Sequence, residues 1–331
     1  MKWKDYLFVF VVAISFPIYY FMLQNSHSIS LLFLNFIVGI YLLVVGSDYF
    51  VDGASGIATH MKVSEHTIGL TVVALATSLP EMAVSDIASF YGHSETAWGN
   101  AVGSNIANVG LVLGIAAIIM PLALSKYIRR DAITLLLITS LLMLFIFVFH
   151  SLLWWMGLVF IIIYAIYLND IHGREEEIED SHTDISLLGA IALTVLGALG
   201  IVWGANVLVD SAIGISIVFG VPEIIIATTA VAVGTSLPEL ATTVSATIKK
   251  KHGIAVGNIL GSNIFNTLVV LGTAAILHPI GTNYRGFLIT SLFLIVMTTL
   301  IVAFSIHRKL GKLEGAIFLI TYAVFIYSLI T

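Results

Sequence analysis

Two stretches carry the residues best suited to chemistry. The first reads Thr77-Ser78-Leu79-Pro80-Glu81, then Gly99-Asn100 and Gly103-Ser104-Asn105-Ile106-Ala107-Asn108. The second reads Thr235-Ser236-Leu237-Pro238-Glu239, then Gly257-Asn258 and Gly261-Ser262-Asn263-Ile264-Phe265-Asn266, each residue 158 positions after its counterpart. Thr77, Glu81 and Ser85 recur at intervals of four, as do Thr235, Glu239 and Thr243, so in a helix their oxygens share one face. Asn100, Ser104 and Asn108 share a face in the same way, and so do Asn258, Ser262 and Asn266. Pro80 cannot donate to the Ala76 carbonyl and its ring displaces it, which predicts a kinked helix with main-chain oxygen released; Pro238 does the same to Gly234.

Both glutamates fall inside apolar runs. A carboxylate at the centre of a bilayer costs roughly 2.5–3.5 kcal/mol even on the gentlest insertion scale. Two of them in one place repel unless cations or protons compensate, and no Lys or Arg lies at matching depth. Two bidentate glutamates supply four oxygens and carbonyls near Thr77 and Thr235 two more, against the roughly 6–8 that Ca²⁺ takes. Na⁺ accepts the same hard oxygens, with Ser78, Ser104, Ser236 and Ser262 added. No histidine or cysteine belongs to the set, which argues against zinc and copper. A lone buried glutamate is often a packing residue, and Gly-xxx-Gly pairs are more often packing devices than site markers. The conjunction of proline, carboxylate and hydroxyls in one turn, present twice, favours a cation site.

These residues need a membrane scaffold. Of 331 residues 59% are hydrophobic and 10% charged, with mean hydropathy +1.06. Apolar runs of about 20 residues, enough to span a hydrocarbon core as helix, recur throughout. This predicts an all-α polytopic membrane protein and excludes a soluble domain and an outer-membrane barrel. With no cysteine there is no disulfide framework, and nothing points to nucleic acid. A first span at 6–23 reads as an uncleaved extra helix rather than a signal peptide, since no small-residue cleavage site follows it. Ten more follow near 30–58, 65–91, 96–120, 131–149, 152–169, 186–217, 222–248, 254–278, 285–306 and 313–330. The spans 30–58 and 186–217 exceed the bilayer and are expected to tilt or run past the interface. With the amino terminus in the cytoplasm, every basic residue of the 14 except Arg285 faces inward. The carboxyl terminus is then outside.

The repeat extends to Gly46 and Gly204, Asp52 and Asp210, and Glu65 and Glu223. Five crossings separate the copies, so they lie upside down to each other, the inverted-repeat architecture of secondary transporters. The layout is a ten-helix core of two inverted five-helix repeats plus one extra amino-terminal helix. Residues 1–28 form that helix, 29–169 the first repeat, 170–185 an acidic cytoplasmic linker and 186–331 the second repeat. The linker has no EF-hand spacing and reads as solvated chain. Asp52 and Asp210, towards the ends of the long helices, read as caps ahead of gating residues. Glu65 and Glu223 start helices, where the dipole favours acid. Asp86 lacks an acidic counterpart and would line an entrance. The histidines fall in loops or near helix ends, where solvated or interfacial roles are the default.

The stretches Ala74 to Gly114 and Ala232 to Gly272 resemble the α-repeats of the calcium/cation antiporter superfamily, most closely the prokaryotic-type Na⁺/Ca²⁺ exchanger branch. The resemblance implies electrogenic exchange of Na⁺ for Ca²⁺ by alternating access. Glu81 and Glu239 would bind both ions, and the backbone oxygens of Thr77 and Thr235 would bind Ca²⁺. Ser78, Ser104, Ser236 and Ser262, with the Ala74 and Ala232 carbonyls, would hold Na⁺. The two long helices would slide to open each side in turn. Asn108 and Asn266 are both amides where some relatives have aspartate at the second position, so the site has two negative charges. Ala76 stands where the second copy has Gly234. The implied partners are Ca²⁺, Na⁺ and the lipid bilayer of the cell membrane. No cofactor is implied, and one chain would suffice although the oligomeric state is open. H⁺/Ca²⁺ exchange ranks second, because the Gly-Asn-x-x-Glu of the proton-coupled branch is replaced by Gly99-Asn100-Ala101-Val102-Gly103 and its counterpart. An intramembrane enzyme lacks a nucleophile–base pair, and a channel suits two inverted half-sites less well than a carrier.

Overall fold

The computed structural model describes residues 29–172, 174, 185–219, 234–281, 286–307 and 309–330, together with positions 8, 11, 12, 14, 15 and 19. The described chain is built almost wholly from helices: α1 Ile29–Met61, α2 Glu65–Phe90, α3 Ser94–Ile119, α4 Lys126–Phe149, α5 Trp154–His172, α6 Leu187–Val218, α7 Leu237–Ile248, α8 His252–Leu277, α9 Phe287–Ser305 and α10 Lys312–Ile330. Nine are long and apolar enough to cross a membrane. Their ends lie within a few residues of the expected spans, except that of 222–248 only the part from 234 is described. The described positions of the expected first helix, 8, 11, 12, 14, 15 and 19, are helical.

α1 and α6 pack against one another along their length through glycines. Gly46 faces the backbone of Ile201, and Gly204 that of Leu43. The positions obey the 158-residue offset. Gly39 meets Leu208, whereas its counterpart Gly197 meets Phe50, the counterpart of Leu208. Two short strand pairs tie the halves in the same reciprocal way. β1 (Leu122–Ala123) pairs antiparallel with β4 (Lys309–Leu310), and β2 (Ser151–Leu152) with β3 (Ile280–Gly281). Leu122 faces Leu310, and their counterparts Ile280 and Leu152 face each other. Contacts of the form i with j and j with i are what a two-fold relation between equal units produces.

α3 and α8 form the centre and are buried along most of their length. Gly253, Gly257 and Gly261 of α8 set its backbone against the first turns of α2, where a Cβ would meet His66 O at 2.8 Å and Leu70 O at 2.5 Å. Gly99 and Gly103 meet nothing among the described residues; residues 224–232, the counterparts of 66–74, lie outside them.

Three helices contain wider π-helical turns: Gly69–Val73 in α2, Asn108–Leu113 in α3 and Asn266–Val270 in α8. Asn108 and Asn266 each open such a turn. The prolines behave differently from one another. α2 continues through Pro80, where the proline has no N–H to donate to the Ala76 carbonyl. In the second copy a turn at Thr235–Ser236 precedes α7, and Pro238 sits in the first turn, where a missing N–H has no intrahelical partner to lose. The two equivalent prolines thus sit in one continuous helix and at one helix start.

Candidate cation site

Glu81 and Glu239 are both fully buried in the helix bundle. Ser78 donates to Glu239 Oε1 at 3.2 Å, bringing the first copy onto the second. The Thr77 hydroxyl lies 3.4 Å from that of Ser262, and the Ser104 hydroxyl 3.4 Å from that of Thr235. These two contacts are counterparts under the 158-residue offset. Asn258 bridges the halves, its Oδ1 within 3.1 Å of the Thr77 hydroxyl and its Nδ2 donating to Thr243 at 3.1 Å. Asn100 Nδ2 faces the Glu81 carbonyl at 3.0 Å and the Ser85 hydroxyl at 2.9 Å. Ala74 is buried, with its carbonyl 3.3 Å from the Thr77 hydroxyl. Ala232 lies outside the described residues.

Several of these buried oxygens have no hydrogen-bond partner among the described residues: both of Glu81, Glu239 Oε2, Asn108 Oδ1, Asn266 Oδ1 and the Ser236 hydroxyl. Buried polar atoms are normally paired, because leaving one bare costs about 1–3 kcal/mol and more for a charge. Bare buried oxygens on two carboxylates and on polar residues of the same two motifs are donors of the kind a hard cation takes. Beside it a cavity of about 270 Å³ lies between α2, α6 and the start of α7, lined by Pro80, Val84, Asn206, Asp210, Thr235 and Pro238.

The flanking polar residues depart from expectation in three places. Asp52 and Asp210 are not caps, because α1 and α6 run on well past them. Asp52 accepts from Lys249 Nζ at 2.7 Å, and Asp210 accepts from the hydroxyl of Tyr19 in the amino-terminal segment. His66 is not solvated. It is buried, with Nε2 2.8 Å from Asp131 Oδ2. Asp131 itself, fully buried in α4, also accepts from Tyr167 at 3.1 Å and from Arg174 Nη1 at 3.0 Å. Burial works against the Arg174 charge, but its bonds to Asp131 and Asp170 hold its pKa above the ordinary arginine value. Sequence reasoning passed over Asp131, since it follows Arg129-Arg130 and resembles an interfacial charge.

Glu65 opens α2 behind the Ser64 cap, and it also binds Ser55 at 2.8 Å and Lys251 at 2.5 Å. Asp86 accepts from Thr273 at 2.7 Å. Glu223 lies outside the described residues.

Comparison with known proteins places this geometry in a family. The chain matches the sodium/calcium exchanger protein family over residues 31–169 and 189–331. It is 34% identical over 303 residues to an uncharacterised membrane protein of Methanocaldococcus jannaschii, covering 89% of this chain and 96% of that protein. It is 33% identical over 344 residues to the sodium/calcium exchanger MaX1 of Methanosarcina acetivorans, covering 90% of this chain and 98% of that protein. A solved structure of the sodium-calcium exchanger NCX_Mj, soaked with Na⁺ and Sr²⁺, superposes with a TM-score of 0.81 at 33% identity, covering 91% of this chain and 99% of that one. The chain is therefore an integral membrane protein of the sodium/calcium exchanger family.

Proposed function

We propose that this protein is a secondary antiporter that exchanges Na⁺ for Ca²⁺ at one shared site, opened alternately to either side of the membrane. The observation that carries this reading is the set of buried, unpartnered oxygens on Glu81, Glu239, Asn108, Asn266 and Ser236. Two carboxylates balance the charge of one Ca²⁺, with the Thr77 and Thr235 main-chain oxygens completing its shell. Na⁺ takes the same carboxylates with Ser78, Ser104, Ser236, Ser262 and the Ala74 and Ala232 carbonyls. Because the carboxylates cannot serve both ions fully at once, binding of one expels the other. That competition couples the two gradients.

The reciprocal contacts across β1–β4, β2–β3 and α1–α6 support two inverted repeats, 29–169 and 186–331, with residues 1–28 as an added helix and 170–185 as a linker. The α1–α6 pair is the element that slides. The amino terminus faces the cytoplasm and the carboxyl terminus the exterior of the cell membrane. One chain contains the whole site.

The test is Ca²⁺ uptake into vesicles holding the purified protein, driven by an imposed Na⁺ or pH gradient. Uptake should follow the Na⁺ gradient, and Glu81→Gln or Glu239→Gln should abolish it. Uptake that follows only the pH gradient would replace Na⁺ by H⁺ as the coupling ion.

A further inference from the structure

We propose that Asn263 is a positioning residue: it turns the amide of Asn108 so that the oxygen, not the nitrogen, faces the cation. The proposal rests on Asn108 being a ligand, as in the reading above. Asn263 borders the ligand row of Asn258, Ser262 and Asn266 on α8, and its side chain is buried against Asn105 and Asn108 of α3. Its Nδ2 donates to the Asn105 main-chain carbonyl at 3.0 Å. That bond commits the amino end of the amide and leaves Oδ1 as the end that meets Asn108. Asn263 Oδ1 accepts from Asn108 Nδ2 at 3.1 Å. A flipped Asn108 would set two amide oxygens at that distance, each without a proton between them, so the flip is disfavoured. Asn108 Oδ1 is thereby left buried and without a partner among the described residues.

The Asn263 backbone is itself held. Its carbonyl accepts from Asn105 Nδ2 at 3.2 Å and from the Thr267 hydroxyl at 2.8 Å. Asn105 and Asn263 are counterparts in the repeat, so each amide donates to the other's carbonyl. The next shell breaks the symmetry. The mirror contact, Asn266 Nδ2 to Asn105 Oδ1, is not formed, and both atoms lack partners among the described residues. Asn105 Nδ2 instead also lies 2.9 Å from the Thr267 hydroxyl, and the counterpart of Thr267 is Val109, which has none. One ligand amide is preset and its counterpart is left free to turn.

Aspartate at position 108 offers oxygen at either end, so it needs no orienting, and this separates positioning from packing. The measurement is the Ca²⁺ KM and kcat of vesicle uptake for Asn108→Ala, Asn263→Ala, Asn108→Asp and the pair Asn263→Ala with Asn108→Asp. Asn108→Ala should raise KM. Asn263→Ala should raise it by about 10-fold, as loss of a ligand's supporting hydrogen bond does, with kcat little changed. In the Asn108→Asp background the same Asn263→Ala change should not raise KM, because a carboxylate has an oxygen at either end and gains nothing from the Asn263 oxygen. Asn263→Ser, too short to reach the amide and suited to a polar setting, serves the same comparison if the alanine variant is not recovered. An equal rise in both backgrounds, or none in either, overturns the positioning role. An Asn108→Ala variant with unchanged KM removes Asn108 from the site and the proposal with it, while Glu81→Gln and Glu239→Gln still report on the shared-site reading.

Discussion

Gly197→Ala probes the element held to move, without touching the site. A Cβ at Gly197 would lie 2.5 Å from Phe50 N, 2.7 Å from Gly46 O and 2.7 Å from Phe50 Cα. All three are backbone atoms of α1, so no side-chain rotation relieves the clash. Ordinary contact begins at 3.4 Å, so α1 and α6 must part by about 0.9 Å at this point. Overpacking of this kind costs typically 1–3 kcal/mol. If the two helices must stay in register as they slide, that cost falls on the switching step and slows turnover by roughly 5- to 150-fold. Vesicle uptake over a range of Ca²⁺ concentrations reads turnover and KM separately. The expected outcome is a lower kcat with the Ca²⁺ KM within about 2-fold, since no proposed ligand lies on α1 or α6. Gly189→Ala is the control, because its Cβ would meet only the Ile185 and Ser186 side-chain tips at 3.1 and 3.2 Å. A raised KM with normal kcat in Gly197→Ala would mean that α1 and α6 help to form the site, which refutes their assignment as the moving element.

Arg174→Ala should lower stability by about 3–5 kcal/mol, since it strips the fully buried Asp131 of its guanidinium partner; thermal unfolding in detergent measures it. Arg174→Lys should recover only part, because an ammonium cannot reproduce the fork onto Asp131 and Asp170. Asn258→Ala removes the bridge between Thr77 and Thr243 and should raise the Ca²⁺ KM by about 10-fold. Deletion of residues 1–28 should leave Na⁺-driven uptake in place, since the family match begins at residue 31. It should lower the unfolding temperature, because it removes the Trp203–Ser15 and Tyr19–Asp210 bonds and the Phe8–Tyr49 ring contact.

The membrane class, the helix positions and the candidate site residues are legible in the chain because each rests on local pattern. Apolar runs give spans, and the offset of 158 pairs Glu81 with Glu239 and Asn108 with Asn266. Tertiary partners are not legible in that way. Asp131 reads as one more charge beside Arg129 and Arg130 until α2 and α5 bring His66, Tyr167 and Arg174 onto it. Asp52 reads as a cap because its helix runs on past the bilayer requirement, and only the fold shows Lys249 waiting beside it. The two prolines look equivalent in sequence. Their hydrogen-bond settings differ, since Pro80 lies inside α2 and Pro238 at the start of α7. Asn105 and Asn263 stand one in each motif, yet periodicity assigns them no role because they fall outside the four-residue spacing of the ligand rows. Their mutual bonds appear only when the two copies face each other.

Competition between the two ions on the purified protein tests the central claim most directly. Ca²⁺ binding is titrated calorimetrically at several Na⁺ concentrations, for the unmodified chain and for Glu239→Gln. One shared site predicts that Na⁺ raises the apparent Kd for Ca²⁺ without changing the number of sites, and that Glu239→Gln loses binding of both. Ca²⁺ binding that is indifferent to Na⁺, or that survives in Glu239→Gln, would contradict it.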